Sequence, residues 1–402
     1  MKIREQVCYL LTQRLNQAGA LFPNKDKNQG GESEKKIEAE NNKIKPQKKK
    51  ENKKEKGSFF NFTNRYTIAL DIGSNSIKVV KVQNVGNQLR LLNYNITTIP
   101  AIIDNQANPL NLNNRLPIIS NILSSMQTKK GSYIISIGGP SVVVRQIKLP
   151  RLSEKELKSS LRLEAKSYIP FPIEEVEMES QILDPKKPDH TMKVLLVAIK
   201  KELLNEVQSS LSQINIEPNI TDVNSLALMN TFFFNESYSP DETIVLVDIG
   251  AQITTLNIYR ENGVFFTRDI PIAGNRFTKE IETKLNVSYQ QAEDLKKKKG
   301  NTDNEVFNIV HPVLETLIRE VRRSLTYYEN QSEAKGFSRV LLTGGGANIE
   351  GITKYFSEEL QLPVSILDCL KKVTIDTESI SEEALKEVKS QLALAIGLAT
   401  RG

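Results

Sequence analysis

The sequence predicts an α/β protein of two similar halves around a cleft, with a small α+β unit inserted in the first half. Three stretches of the 402-residue chain predict it. Residues 66–82 read YTIALDIGSNSIKVVKV: an apolar strand, a tight polar turn and a second apolar strand. Residues 243–259, TIVLVDIGAQITTLNIY, repeat that plan. Residues 339–351, RVLLTGGGANIEG, run from a strand into Gly344-Gly345-Gly346 and then a helix.

The hairpin tips have the chemistry of phosphate loops. Gly73 lets the backbone approach a ligand, and the small Ser74, Asn75 and Ser76 leave N–H groups open. Lys78 adds positive charge. Asp71 would repel a bare phosphate, so its natural partner at such a tip is hydrated Mg²⁺. One Asp-Ile-Gly after a strand is most often only a turn. The echo at Asp248 and Gly250, with the later Gly344-Gly345-Gly346, changes that. Two such hairpins facing each other, followed by strand–GGG–helix, resemble the actin-like ATPases. The resemblance implies that the hairpins hold the phosphates of ATP from either side and that the GGG turn packs on the adenosine.

Length and composition bound the rest. A chain of 402 residues exceeds one comfortable core. Two histidines, His190 and His311, supply neither a His-based metal site nor a Ser/His/Asp triad. Cys8 and Cys369 are the only cysteines, so no disulfide framework is expected. No apolar run approaches the ~18 residues of a membrane span, and the expected location is cytoplasmic. The charge is uneven. Residues 1–60 hold 15 of the 54 basic and 8 of the 48 acidic residues, leaving 39 against 40 elsewhere. The body is neutral and the tail basic, which argues against a nucleic-acid partner.

In order, residues 1–20 carry apolar positions at spacings of three and four, a short amphipathic helix. Residues 32–56 are nearly all Glu, Lys, Asn and Gln, too polar to order; their lysines form a solvated linker or attract anionic lipid. The first half is expected at 61–240 and the second at 241–402, with a last helix near 387–399 packing back on the first half. The inserted unit is expected at about 146–223. Its helix opens with the capping box Ser153–Glu156 and ends at Pro170 and Pro172. Those two prolines hold rigid an apolar-aromatic run, Tyr168, Ile169, Phe171 and Ile173, that could anchor a peptide. Core packing is an equally good reading of Phe171.

Several phrases resemble one family, the type IV pilus assembly protein PilM, itself related to the cell-division protein FtsA. They are LPRLSEKEL at 149–157, LEAKSYIPFPIEEV at 163–176, MKVLLVAIKKELL at 192–204, SYQQAEDLK at 288–296 and AIGLATRG at 395–402. The resemblance runs from about Thr67 to Gly402 and leaves residues 1–60 uncovered. It implies an ATP-binding protein docked under the inner membrane, working with other pilus-machine components. Its expected partner is the cytoplasmic N-terminal peptide of a PilN-like inner-membrane protein, lying between the inserted unit and the first half. It also implies roles for particular residues. Asp71, Gly73, Ser74, Asn75, Ser76 and Lys78 fall on the first phosphate loop, and Asp248 and Gly250 on the second. Glu293 and Lys296 fall on a helix that reaches the ribose, and Gly344, Gly345, Gly346 and Asn348 on the adenosine turn. Asp71 and Asp248 would hold Mg²⁺ through water.

The second loop departs from the pattern. Gln252 and Ile253 follow Ala251, and Ile253 offers no hydroxyl and crowds the turn. Hydrolysis is therefore expected to be slow at most. Two other functions fit parts of the chain: an FtsA-like membrane-anchored filament, using residues 1–20 as anchor, and a sugar-kinase-like phosphotransferase with Glu164 as base.

Overall fold

The computed structural model describes residues 66–85, 88–100, 112–128, 131–184, 190–260, 264–299, 304–331 and 336–402. The basic tail, with its expected helix and polar run, lies outside the described residues.

The first body begins with strands β1 (Thr67–Ile72), β2 (Ser76–Val85) and β3 (Gln88–Thr98), then helix α1 (Leu116–Ser125) and β4 (Ser132–Ile137). The chain leaves it through β5 (Val142–Pro150), α2 (Glu154–Glu164), β6 (Val176–Ile182) and β7 (Thr191–Lys200). It returns by α3 (Lys201–Ser212), β8 (Ile220–Val223) and α4 (Asn224–Asn235). The second body holds β9 (Thr243–Ile249), β10 (Thr254–Arg260), β11 (Val264–Ile270), α5 (Gly274–Leu285), α6 (Tyr289–Lys299) and α7 (Asn304–Gln331). It continues with β12 (Arg339–Thr343), α8 (Ile352–Leu360) and β13 (Val364–Ile366). The chain closes with β14 (Val373–Ile375), α9 (Glu382–Val388) and α10 (Ala393–Ala399).

Two of the sheets repeat one plan. The first runs β14-β3-β2-β1-β4-β8 and the second β11-β10-β9-β12-β13. In each, an antiparallel meander is followed by two parallel strands on the inner side of the first hairpin. The central strands are buried on both faces, which is why Ile68, Ala69 and Leu70, and Val245, Leu246 and Val247, read as continuous apolar runs.

The third sheet, β5-β7-β6, is the inserted unit, with α2 on one face. The capping box forms as expected: Ser153 Oγ accepts from the Glu156 N–H while the Glu156 carboxylate accepts from the Ser153 N–H. The expected boundary at about 223 is corrected. Leu203, Leu204, Val207 and Leu211 of α3 pack into the first body's core, and β8 pairs with β4. The sheet of the unit thus ends at Lys200, where the chain reverses into that core.

Helix α4 carries no amphipathic signal, because ten of its twelve residues are buried. It is clasped by α10. A Cβ on Gly397 would overlap the Ala227 carbonyl, so only glycine lets these two helices approach so closely. Phe233 of α4 meets Tyr259 of β10 edge to face, ring centroids 4.6 Å apart, and so joins the two bodies. At the far end of the chain, Arg401 Nε lies 3.2 Å from Asp222 Oδ2 of β8, both side chains at 2% exposure or less. Among the described residues no helix is long and apolar enough to cross a membrane.

Candidate functional site

Both hairpins close with the same bond. The Gly73 N–H donates to the Ser76 carbonyl at 3.1 Å, and the Gly250 N–H donates to the Ile253 carbonyl at 3.1 Å. A Cβ on either glycine would meet that carbonyl, at 3.0 Å and 2.7 Å. The sequence echo is thus an echo of geometry: a side chain at position 250 would displace the Ile253 carbonyl, and one at position 73 would crowd the Ser76 carbonyl and the Lys78 ammonium.

The two tips face a cavity of about 320 Å³. Asp71, Gly73, Ser74, Asn75, Ser76 and Lys78 line it from one side, and Asp248, Gly250, Ala251, Gln252 and Ile253 from the other. Gly344, Gly345 and Gly346 form a third wall. Gly344 has φ +86°, and a Cβ there would overlap the Asp248 carboxylate. The backbone must pass this close for the GGG turn and the second hairpin to share one cavity.

The charges are nearly balanced. Asp71 stands opposite Lys78 in the β1–β2 register, and their charged groups are 3.1 Å apart. Among the described residues Asp248 forms no such ion pair. Burial, and then the nearby charge of Asp71, push its carboxyl up to about 6; Lys78 opposes the shift and Asp269 adds to it. A divalent cation between Asp71 and Asp248 would relieve this repulsion. Among the described residues no three His, Cys, Asp or Glu side chains group as a cage. Two carboxylates with open space between them suit a Mg²⁺ that keeps its waters and takes its other ligands from phosphate. The glycine-lined loops and this donor set fit a nucleotide with Mg²⁺.

Three expectations need correction. Lys296 is buried beside the cleft, not in it: its Nζ donates to the Gly274 carbonyl and, at 2.8 Å, to Thr278 Oγ1, and it also bonds Glu293. Burial lowers its pKa despite the Glu293 carboxylate. The neighbouring Lys297, one step around the helix, lines the cavity with Glu293. Asn348 does not line it; its Oδ1 accepts from Ser390 Oγ at 2.6 Å and so holds a residue that does. Ile169 and Ile173 are core residues of the inserted unit, each 5% exposed, so they face no peptide. Tyr168 is exposed, and Phe171 is half-buried under the Lys200 ammonium, 4.5 Å from its ring centroid.

Two further residues at the cleft carried no site expectation. Arg115 sits just before α1, buried, with a guanidinium nitrogen 3.4 Å from the Gly73 carbonyl. Tyr289 crosses the cleft: its hydroxyl is 3.3 Å from Asn75 Oδ1 and 3.2 Å from Asn275 Oδ1. A single arginine or tyrosine carries no pattern, and only the fold brings these beside the loops. The hydroxyls of the second loop are spent elsewhere. Thr254 donates to the Ile272 carbonyl at 2.6 Å and Thr255 to Asp269 at 2.9 Å. Glu164 does not line the cavity.

A second cavity, of about 490 Å³, lies between the inserted unit and both bodies. Val142–Arg145 of β5 and Phe266–Asp269 of β11 flank it, both on edge strands of their sheets. Arg145, Arg323 and Tyr327 stand exposed around it. Ile137–Pro140, Asn224 and Thr255 line both cavities and form their common wall.

Two bodies of matching topology, closed by paired glycine turns over a cleft with two carboxylates, define an actin-like ATPase fold. The chain belongs to the family of the type IV pilus assembly protein PilM, whose family model matches residues 69–402. A solved PilM-PilN type IV pilus biogenesis complex is similar, with a TM-score of 0.75 and 26% identity over 84% of this chain and 98% of that one. The ethanolamine utilization protein EutJ from Carboxydothermus hydrogenoformans has a TM-score of 0.51 at 13% identity, covering 84% of this chain and 90% of its own, and shares the fold alone. The cell division protein FtsA of Bacillus subtilis (strain 168) is 26% identical over 222 residues, 48% of this chain and 49% of FtsA. The chain spans about half the length of the curated relatives it matches.

Proposed function

We propose that this protein is a nucleotide-bound scaffold of a type IV pilus machine. It holds Mg²⁺-ATP between the two hairpins and takes the cytoplasmic N-terminal peptide of a PilN-like inner-membrane protein in the second cavity. The matched turns at Gly73 and Gly250, with Asp71 and Asp248 facing one space, carry the nucleotide half of this reading. Backbone N–H groups bind phosphate, the two carboxylates hold hydrated Mg²⁺, and Gly344-Gly345-Gly346 abuts the base end. When bound, Mg²⁺ neutralises phosphate charge.

The peptide half rests on the flanking edge strands. An extended peptide gains main-chain hydrogen bonds along an open edge and specificity from alternate side chains. Phe266 and Tyr327, ring centroids 5.8 Å apart, offer an aromatic contact there. Family membership and the similar solved PilM-PilN complex support a PilN-type partner. Calorimetry with that peptide tests the placement. Tyr327→Ala should weaken binding about tenfold or more, as truncation of an aromatic anchor does, while Phe171→Ala should not. The reverse result would move the peptide to the outer face of the inserted unit.

A further inference from the structure

Asp248, Thr255 and Asp269 form a row across three strands. Asp248 of β9 stands directly opposite Thr255 of β10, and Thr255 directly opposite Asp269 of β11. Residues paired this way project from one face of a sheet. The row therefore runs from one cavity to the other: Asp248 lines the nucleotide cleft, Thr255 lines both cavities, and Asp269 lines the second. The Thr255 hydroxyl donates to Asp269 Oδ1 at 2.9 Å, and Asp269 is open to the second cavity. Two strand spacings put Asp248 and Asp269 on the order of 10 Å apart. At that range two carboxylates in a partly desolvated wall feel each other's charge.

The remainder of the wall is closely packed. A Cβ on Gly138 would overlap the Asn224 amide, and the Val142 N–H closes a turn on the Gly139 carbonyl at 3.0 Å. The Ile253 side chain packs toward Gly139 from the second phosphate loop, 4.0 Å from where a Cβ would stand. Other charges around the second cavity are accounted for differently. Arg268 is paired with Glu320 at 2.7 Å, while Arg145 and Arg323 stand at the exposed mouth. Among the described residues lining this cavity Asp269 is the only acidic one, and it is the one in register with the cleft.

We propose that Asp269 couples the two cavities: a basic side chain of a peptide seated on Asp269 tightens the binding of Mg²⁺-nucleotide in the cleft. This rests on the peptide reading given above and adds to it the chemistry of the peptide and the sign of its effect. Mg²⁺-ATP is a net anion, so a negative charge in the wall opposes it. A cation on Asp269 cancels that charge and also eases the repulsion on Asp248. By linkage, nucleotide tightens the peptide by the same factor.

Calorimetry on the full chain tests this, using Mg²⁺-ATP and the N-terminal peptide of the PilN-like partner. Each ligand should bind about threefold to tenfold tighter when the other is saturating. Asp269→Asn keeps the size of the side chain and an oxygen for Thr255 but removes the charge. It should bind Mg²⁺-ATP without peptide about as tightly as the wild type does with it, and lose the coupling. Peptide binding that is indifferent to nucleotide overturns the proposal. So does an Asp269→Asn variant, folded by circular dichroism, with unchanged Mg²⁺-ATP affinity. A peptide that does not bind at all sinks the peptide reading instead, and the Asp269→Asn affinity for Mg²⁺-ATP then decides the electrostatic coupling alone.

Discussion

The Lys78 ammonium and the Asp71 carboxylate face each other 3.1 Å apart across the first hairpin, at the edge of the cleft. The pair fixes the Asp71 carboxylate and the Lys78 ammonium side by side at the first turn, where both line the cavity. Asp71→Ala and Asp248→Ala should each weaken ATP binding in Mg²⁺ by tenfold or more, and much less in EDTA, because the carboxylates act through the metal. Lys78→Ala should weaken binding in both conditions. Calorimetry with and without Mg²⁺ separates these outcomes. Unchanged affinity in both aspartate variants would falsify the placement of the site.

Asp248 makes nucleotide-free stability depend on pH. Its carboxyl rises from the ordinary 3.8 to about 6, so folding favours the protonated form. The stability from this group is fully present below its unfolded value and is lost as pH rises through about 6. Asp248→Asn should therefore be more stable than wild type at pH 8, by at most about 3 kcal/mol, and nearly equal to it at pH 4. Adding Mg²⁺-ATP should reverse the order at pH 8, since only the wild type keeps the carboxylate. Thermal unfolding from pH 4 to 8, with and without Mg²⁺-ATP, checks both signs.

Hydrolysis by the isolated protein should be far slower than the enzyme median of about 10 s⁻¹. Thr254 and Thr255 direct their hydroxyls to Ile272 and Asp269, and Ile253 brings only methyl groups. Asp71 is bound to Lys78, and Glu293 to Lys296. Phosphate release at ordinary enzyme rates would contradict this and favour a catalytic role.

The C-terminal residues should matter for folding. Arg401 and Asp222 are paired out of water, and removing one leaves the other charged and alone. Arg401→Ala should cost about 3–5 kcal/mol, and the double variant Arg401→Leu with Asp222→Leu should recover much of it. Urea unfolding of the three proteins measures the difference.

Residues 1–56 should raise affinity for anionic vesicles in a salt-sensitive way, since the body is neutral and the tail carries the excess of lysine. Co-sedimentation of the full chain against one starting at Gly57 tests it. Equal, salt-insensitive binding by both would leave the tail as a linker only.

Much of this protein was legible in the chain because it is written in local rules. The hairpins follow from apolar strands around Asp-Ile-Gly, and each glycine sits tight against a carbonyl only three residues away. The capping box at Ser153 and Glu156 is a contact over three residues. Such features need no knowledge of distant neighbours.

Tertiary structure decided what depends on which face a residue turns and what lies against it. Helix α4 was hidden because a helix buried all round shows no period. Lys296 and Lys297 are adjacent in sequence, yet one helical step sends the first into a buried ion pair and the second to the cleft. Ile169 and Ile173 look like their neighbours Tyr168 and Phe171 in the chain, but the turn after α2 points them into the core. Arg115 and Tyr289 reach the phosphate loops only because separate elements fold there. The row Asp248–Thr255–Asp269 exists only through strand register, which pairs residues 7 and 14 positions apart in the chain onto one face. Side-chain direction and cross-strand pairing are set by the packing of the whole chain, which no short stretch of sequence contains.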